Sequence, residues 1–289
     1  MASVETSHKF GRLSLKCFLL GSTIFLVPQV GIISNLLGYI AENYLWLLLF
    51  CHALIVNGAL KFLHKGMNYE VAVRGCCLGV VFGLGLLVIL HQPPWASFGW
   101  YMSALAFFHW SEYMITAICN PRTLTLSSYL LDHSREYHIA ALASWMEFWL
   151  EYFISPGLKQ FGCITFIGLI LVIGGETLRK SAMWTAKTNF NHYVQHIKED
   201  GHTLVTHGIY RFSRHPSYVG WFYWSVGTQI LLCNPLCLLA YSYVSWSFFK
   251  NRIEDEEVTL LNFFGEDYVE YQKKVGTGLP FIKGYRMEL

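Results

Sequence analysis

Charged residues are scarce in this sequence. Asp, Glu, Lys and Arg make up 14% of its 289 residues and hydrophobic residues make up 54%, whereas soluble domains carry about 25% charged residues. This scarcity excludes an ordinary soluble domain and predicts an all-α, polytopic integral membrane protein. The formal net charge of +2 says little about partners other than the lipid bilayer, and we expect no nucleic-acid partner.

Cysteine pairs of the CxxC type are absent, which argues against a zinc site and against a disulfide framework. The eight cysteines all fall in or at the ends of apolar segments. They are Cys17, Cys51, Cys76, Cys77, Cys119, Cys163, Cys233 and Cys237. We therefore expect them to be buried small hydrophobic residues.

Glycine-rich nucleotide fingerprints are also absent. Gly83-Leu84-Gly85 and Gly174-Gly175 lie inside long apolar segments, where small residues let helices pack closely. A nucleotide-like cofactor must therefore be bound by something other than a Rossmann fold, so a Rossmann methyltransferase is excluded.

Adjacent histidine pairs are missing as well. His192 and His196 are spaced i,i+4, and His202, His207 and His215 follow, which raises the alternative of a metal site like that of membrane di-iron oxidases. Such sites need more clustered histidines, because each iron takes several imidazole ligands. We predict no metal site and expect these histidines to hydrogen-bond a ligand or to lie in a cytosolic loop.

Long apolar segments are abundant. Eight of them approach the roughly 20 residues that a membrane-spanning helix needs. They are residues 14–34, 42–63, 70–91, 98–119, 136–155, 158–181, 215–233 and 234–250. The first follows a basic N-terminus without a small-x-small cleavage pattern after it, so we interpret it as a retained helix. We predict one membrane domain over 1–289, with N-terminal helices in 1–119 and catalytic helices plus a cytosolic C-terminal segment in 136–289.

The distribution of positive charge tests this count. With eight spans, the two termini and the even-numbered loops share one side of the membrane, and that side holds every Lys and Arg except Lys159. By the positive-inside rule that side is cytosolic. Two polar cytosolic stretches result, residues 180–214 and 250–289, and the last pair of helices brings them together.

The most informative stretch is residues 210–224, where basic residues lead into an apolar aromatic segment. Pro216 suits the first turn of a helix, because its missing N–H has no partner there. Arg211, Arg214 and His215 precede that turn, and the start of a helix favours anionic groups. A membrane helix with a basic collar explains the same pattern, and this stretch alone does not decide between the two.

A charged run follows the last apolar segment, at residues 252–257. Arg252 and Glu256 are spaced i,i+4, and a pair on a solvated helix face is the usual meaning of such spacing. Aromatic clusters flank the run at the membrane surface, where charge costs free energy unless it is paired or used. We therefore favour a functional site.

These motifs together resemble a known family. In chain order they are His202-Thr203-Leu204-Val205-Thr206, Tyr210, Arg214-His215-Pro216-Ser217-Tyr218-Val219-Gly220-Trp221, Arg252 with Glu256, Phe264-Gly265, Tyr268, Tyr271 and Gly278-Leu279-Pro280-Phe281-Ile282. The order and spacing resemble the isoprenylcysteine carboxyl methyltransferases over nearly the whole chain, including the eight-span layout of the animal enzymes. The Arg-His-Pro-x-Tyr-x-Gly core alone is less specific, because phospholipid methyltransferases and sterol reductases carry related C-terminal halves.

The resemblance implies an enzyme of the endoplasmic reticulum membrane that methylates the C-terminal carboxylate of a farnesylated or geranylgeranylated cysteine, with S-adenosylmethionine as donor. Its implied protein substrates are prenylated CaaX proteins such as Ras- and Rho-type small GTPases and lamins. The positions that match donor-contacting positions of the family are Gln195, His202, Thr203, Leu204, Val205, Tyr210, His215, Pro216, Ser217, Tyr218 and Glu256. Arg252 matches the position expected to meet the substrate, and Arg252 and Glu256 are the implied catalytic residues.

The residue types fit this chemistry. A terminal α-carboxylate has a pKa of about 3.3–3.7, so it is ionised at neutral pH and needs no general base. Arg252 can hold a carboxylate with two parallel hydrogen bonds, Glu256 can accept hydrogen bonds from the donor, and Tyr218 can contact a sulfonium with its ring. Because a prenyl chain partitions into a bilayer, we expect it to reach the site sideways between helices and the donor to arrive from the cytosol.

Three alternatives stay open. A phospholipid N-methyltransferase would use the same donor with a neutral amine acceptor, and a sterol reductase would need a nicotinamide cofactor. A transporter or lipid-binding scaffold would place polar residues at mid-membrane depth. The acids that keep this last alternative open are Glu112, Glu147, Glu151 and Glu176. We interpret them as inter-helix hydrogen-bonding or interfacial residues.

Overall fold

The structure, a computed structural model, describes residues 4–132 and 134–285, without the side chains of residues 31 and 32. Within these ranges the regular elements are helices and no strand occurs, so the all-α prediction is confirmed. The chain divides into two compact units, Met1–His133 and Ser134–Leu289. The interpretation of 1–289 as one domain stays a prediction.

The described part of the first unit is built from five α-helices. They are α1 (Val4–Ser22), α2 (Asn35–Asn43), α3 (Leu45–Leu63), α4 (Met67–His91) and α5 (Ala96–Cys119), and a 3-10 stretch, Thr23–Ile32, follows α1. Helix α4 packs against α1 and α5. A Cβ at Gly83 would lie 2.7 Å from Ile24 Cγ2, and one at Gly85 would lie 2.7 Å from the carbonyl oxygen of Gly99. The prediction that these two glycines serve close helix packing is confirmed.

Residues 134–285, the described part of the second unit, hold five further α-helices. They are α6 (Arg135–Ile154), α7 (Gly162–Ala186), α8 (Pro216–Leu231), α9 (Pro235–Phe264) and α10 (Glu266–Lys274). Helices α7 and α8 cross at Gly175 and Gly220, where a Cβ on either residue would lie 2.5–2.6 Å from the other's carbonyl oxygen. The packing prediction is thus confirmed for Gly175. The packing prediction is wrong for Gly174, because a Cβ added there would meet nothing within 4 Å.

Every predicted apolar segment coincides with helical structure, but the boundaries differ. Helix α1 begins at Val4, ten residues before the predicted start, and α9 continues without a break from the last segment through residues 252–257. Four helical stretches of the described chain are long and apolar enough to cross a membrane. They are Val4–Val30, Leu45–Leu63, Met67–His91 and Gly162–Asn189. The count of eight spans stays a prediction.

The tight turn predicted at Asn234-Pro235 joins α8 to α9. Proline is the first residue of α9, and Glu147 on α6 accepts hydrogen bonds from the next two backbone N–H groups, those of Leu236 at 2.7 Å and Cys237 at 2.6 Å. A carboxylate at a helix N-terminus satisfies donors that have no partner within the helix. The interpretation of Glu147 as an inter-helix hydrogen-bonding residue is confirmed.

Lys159, the lysine that the charge pattern assigns to the non-cytosolic side, is buried beside this turn, with a side chain that is 0% exposed. Its Nζ forms an ion pair with Glu151 at 2.6 Å and donates to the carbonyl oxygens of Leu232 and Cys233 and to Asn234 Oδ1 at 2.9–3.1 Å. The ammonium therefore binds the carbonyl-rich end of α8, where a cation is favourable.

The expectation that all eight cysteines are buried is wrong in part. Cys17, Cys76 and Cys237 are buried, whereas Cys77 and Cys163 are exposed on the surface of their helices. An apolar segment that crosses a membrane has an outward face as well as an inward one, and composition alone does not separate them.

Candidate active site

The start of α8 forms one wall of the candidate site. Helix α8 begins at Pro216, as predicted, and His215 precedes it. The residues from Ser213 to Ser217 are all buried. Arg179 on α7 is 2% exposed and reaches this start, since its Nη1 donates to Ser217 Oγ at 2.8 Å. The helix start from Ser213 to Ser217 is therefore an interior feature, whereas Arg211 of the preceding basic stretch is exposed.

The C-terminal half of α9 lies opposite, and it carries Arg252 and Glu256 one turn apart. Arg252 Nε donates to the hydroxyl of Tyr218 at 3.1 Å, and its Nη2 donates to the carbonyl of His192 at 2.7 Å. Arg252 thus contacts both α8 and the stretch between α7 and α8, which a solvated helix face would not explain.

One cavity lies between these walls. Its lining consists of Ala186, Asn189, Phe190, Asn191, Thr203, Leu204, Val205, Tyr210, Arg214, His215, Pro216, Ser217, Tyr218, Glu256, Leu260, Phe264, Tyr268 and Tyr271. Nine of the eleven residues that the resemblance assigns to the donor are among them. The structure therefore brings together the motifs around Thr203, Tyr210, His215 and Glu256, which are far apart in the chain.

Two of the eleven residues do not line this cavity. Gln195 donates from Nε2 to the carbonyl of Tyr193 at 3.4 Å. His202 Nδ1 accepts a hydrogen bond from the backbone N–H of Glu199 at 3.4 Å. Both lie in the irregular stretch between Asn189 and His207, where bonds between near neighbours set the direction of each side chain.

Glu256 presents an unsatisfied carboxylate oxygen. Its side chain is 29% exposed, but the Oε2 atom itself is buried and has no hydrogen-bond partner among the described residues. The nearest cationic atom is Nδ1 of His215 at 3.5 Å. A buried carboxylate oxygen without a hydrogen bond is costly, so this wall of the cavity fits a ligand that is cationic or carries hydroxyl or amine donors.

Aromatic rings fix the orientation of His215. Its imidazole is parallel to the ring of Tyr218, with centroids 5.6 Å apart and an interplanar angle of 6°. Tyr218 in turn stacks on Phe249 of α9, at 5.2 Å between centroids. The N–H and lone-pair directions of His215 lie in the plane of its own ring, so the stacking fixes the plane in which they point.

Sequence reasoning missed Glu257, which lies beside Glu256 and is 0% exposed. Its Oε1 accepts from Arg214 Nε at 2.8 Å and from the hydroxyl of Tyr268 at 3.1 Å, and it lies 3.0 Å from His215 Nε2. The adjacent pair of glutamates was the available signal, because consecutive residues of a helix point about 100° apart and meet different surroundings.

The segment after α10 is tied to the same network. Arg214 donates to the carbonyls of Val275 and Lys283, and its backbone N–H donates to the carbonyl of Gly276 at 2.9 Å. Tyr271 Oη donates to the carbonyl of Tyr210. The two polar stretches on either side of the last hairpin are therefore in contact, as predicted.

The two glutamates have lowered pKa values. Burial alone would raise the pKa of each carboxyl, but His215, assisted by Arg252 at Glu256 and by Arg214 at Glu257, outweighs burial and lowers both pKa values. Both carboxylates are therefore ionised at neutral pH, and the cavity wall at Glu256 is anionic.

Comparison with known proteins places the chain among methyltransferases. The sequence profile of the isoprenylcysteine carboxyl methyltransferase family matches residues 167–262. The chain is 54% identical over 280 residues to the protein-S-isoprenylcysteine O-methyltransferase of Xenopus laevis, with 96% of each chain covered. It is 51% identical over 283 residues to the protein of that name from Homo sapiens, covering 96% of this chain and 95% of the human one.

A solved structure is similar as well. It is that of a eukaryotic intramembrane Ras methyltransferase, an isoprenylcysteine carboxyl methyltransferase, with a TM-score of 0.89 and 46% sequence identity. The similarity covers 96% of this chain and 99% of that one. It therefore extends over both units and includes every element that lines the cavity.

Proposed function

The chain belongs to the isoprenylcysteine carboxyl methyltransferase family, and from this premise we propose that it transfers a methyl group to the C-terminal carboxylate of a prenylated cysteine. The observation that carries the proposal for this site is the cavity beside α8 and α9, which gathers nine residues of the family's donor-contacting motif. Glu256 lines the cavity, and Arg252 lies one turn earlier on α9, outside the lining. The two side chains have opposite charges, as a cationic donor and an anionic acceptor require.

The methyl donor in this proposal is S-adenosylmethionine, which supplies an electrophilic methyl group on a sulfonium. The buried Oε2 of Glu256 has no hydrogen-bond partner, so it fits the amine or hydroxyl groups of such a donor and favours its positive charge. Tyr218 also lines the cavity, where its ring contacts the rings of His215 and Phe249. Thr203, Leu204 and Val205 line the cavity from the stretch before α8.

The acceptor carboxylate is assigned to Arg252. A guanidinium has five N–H groups, and the bonds to Tyr218 and His192 use two of them, so the fork retains donors for a carboxylate. Because the carboxylate is already ionised at neutral pH, the protein needs only to align it and to exclude water. A neutral amine acceptor would gain nothing from this arginine, which disfavours phospholipid methylation.

The setting in the membrane follows from the same assignments. We propose eight spans with both termini cytosolic, in the endoplasmic reticulum membrane, and prenylated CaaX proteins such as Ras- and Rho-type GTPases and lamins as substrates. The charge pattern supports the orientation, since Lys159 alone among Lys and Arg falls on the opposite side, and its positive charge is buried and paired.

The direct test supplies purified protein with methyl-labelled S-adenosylmethionine and N-acetyl-farnesylcysteine. A parallel arm contains the methyl ester of that compound, and another contains phosphatidylethanolamine. Base-labile label in the free acid alone is the expected result. Label in phosphatidylethanolamine, or in none of the three, would contradict carboxyl methylation.

A further inference from the structure

Glu257 binds four side chains without lining the cavity. Its Oε1 faces Arg214, His215 and Tyr268 at 2.8–3.1 Å, and its Oε2 accepts from Gln272 Nε2 at 3.1 Å. The side chain is completely buried. A buried carboxylate is stable only with such partners, so the elements around it are arranged to keep its charge in one place.

His215 lies between two carboxylates. Its Nε2 is 3.0 Å from Glu257 Oε1, and its Nδ1 is 3.5 Å from Glu256 Oε2. A neutral imidazole carries a single N–H, so one ring nitrogen would direct a lone pair at a carboxylate. An imidazolium has an N–H on both nitrogens, so it turns an N–H and not a lone pair towards each carboxylate. The geometry therefore favours the charged form of His215.

The surroundings of His215 agree with this form. The charged and titratable groups around it and its two carboxylates are Arg214, Tyr218, Arg252, Glu256, Glu257 and Tyr268. The carboxylates of Glu257 and Glu256 lie 3.0 Å and 3.5 Å from the two ring nitrogens of His215, and opposite charges at this distance favour the charged form of the ring. Glu256 is the only one of these carboxylates that faces the cavity.

We propose that Glu257 is a positioning residue for donor binding: it holds His215 charged and turned towards Glu256, and so sets the direction and charge of the carboxylate that meets the donor. The inference rests on the proposed function of the cavity. It assigns to Glu257 no contact with donor or acceptor.

The first test is Glu257→Gln, which keeps the size of the side chain and removes its charge. We expect the dissociation constant for S-adenosylmethionine, measured by calorimetry on the purified protein, to rise at least tenfold, with a smaller change in kcat at saturating donor. The alkaline limb of the pH profile of kcat/KM for the donor should move to lower pH, because a single carboxylate then holds the proton of His215. The matched control is Asp255→Asn, an exposed acid two residues earlier on α9, which should behave as wild type.

Tyr268→Phe provides a test in the opposite direction. It removes one hydrogen bond from Glu257 Oε1 and changes no charge at neutral pH. That oxygen then becomes a better acceptor for His215, so the alkaline limb should move to higher pH. A residue that served stability alone would lower the thermal midpoint in both variants and move neither limb.

The proposal is supported if the alkaline limb shifts in opposite directions in the two variants and if Glu257→Gln binds the donor more weakly. Unchanged limbs and donor affinity in both variants overturn it, whatever happens to the thermal midpoint. If Glu257→Gln does not fold, the direction of the Tyr268→Phe shift decides alone. A wild-type protein that binds no donor and methylates no farnesylcysteine would instead refute the proposed function, and this proposal with it.

Discussion

Glu256 and Glu257 are neighbours in the chain but face different surroundings. One lines the cavity with an oxygen that has no hydrogen bond, and the other is buried against Arg214, His215 and Tyr268. Consecutive residues of a helix point about 100° apart. One acid of α9 is therefore available to a ligand, and the next is bonded to other side chains. His215 contacts both, which links the binding surface to the packing behind it.

The crossing of α7 and α8 gives a prediction with a matched control. An alanine Cβ at Gly175 would lie 2.5 Å from the carbonyl oxygen of Gly220 and 2.6 Å from the backbone nitrogen of Trp224. Overpacking of this kind costs about 1–3 kcal/mol, and it would displace the helix that carries Ser217. We expect Gly175→Ala to lower the thermal midpoint and to weaken donor binding.

Gly174→Ala is the control, since its added Cβ meets nothing within 4 Å. Both variants should be compared in one detergent by thermal unfolding and by calorimetric titration with donor. Equal behaviour of the two variants would contradict the assigned helix crossing.

The buried lysine predicts a large loss of stability. Lys159→Met removes one partner of an ion pair whose lysine side chain is 0% exposed and leaves Glu151 without its cation. Breaking a buried pair in this way costs about 3–5 kcal/mol. The exposed pair Lys273–Glu270 contributes at most about 1 kcal/mol, so Lys273→Met is the control. Comparable unfolding midpoints for the two variants would show that Lys159 is not a structural residue.

The lowered pKa of Glu257 predicts acid sensitivity. Burial would raise this pKa, but His215 and Arg214 outweigh it and hold the pKa below the ordinary glutamate value of 4.5. A lowered pKa in the folded state gives stability that is complete above the unfolded-state value and is lost as the pH falls through the folded-state value. The thermal midpoint should therefore fall as the pH drops below 4.5, and Glu257→Gln should flatten this dependence. Parallel curves for the variant and the wild type would contradict the assignment.

Local chemistry made part of the site predictable from the sequence. Pro216 is the first residue of α8, as expected. An N–H at a helix start has no partner within the helix, so proline loses nothing there, and this preference depends on one residue alone. The i,i+4 spacing of Arg252 and Glu256 placed both on one helix, which the structure has. Apolar length likewise located eight of the ten α-helices in the described residues, all except α2 and α10, although the start of α1 lay ten residues before the expected position.

Tertiary packing decided the rest. Nothing in the run of residues 252–257 tells Glu256 from Glu257, because the rotation of α9 against its neighbours determines which acid meets the cavity. In the sequence, Arg179 contributed only to the distribution of positive charge. In the structure it is buried against Ser217 and the ring of Trp221. Gln195 and His202 lie in a stretch without helical periodicity, so their sequence positions carried no information on direction.

We propose that neighbouring turns of α9 have separate roles, with Glu256 contacting the donor and Arg252 the acceptor. The most direct measurement is calorimetric binding of S-adenosylmethionine to purified Glu256→Gln and Arg252→Ala, paired with methyl transfer to N-acetyl-farnesylcysteine. Lys250→Ala, a cation earlier on the same helix, serves as the control.

We predict that Glu256→Gln loses donor affinity, whereas Arg252→Ala binds donor as wild type does and retains less than a tenth of the transfer activity. Lys250→Ala should keep both. Equal loss of donor affinity in Glu256→Gln and Arg252→Ala, or full transfer activity in Arg252→Ala, would contradict the division of donor and acceptor along α9.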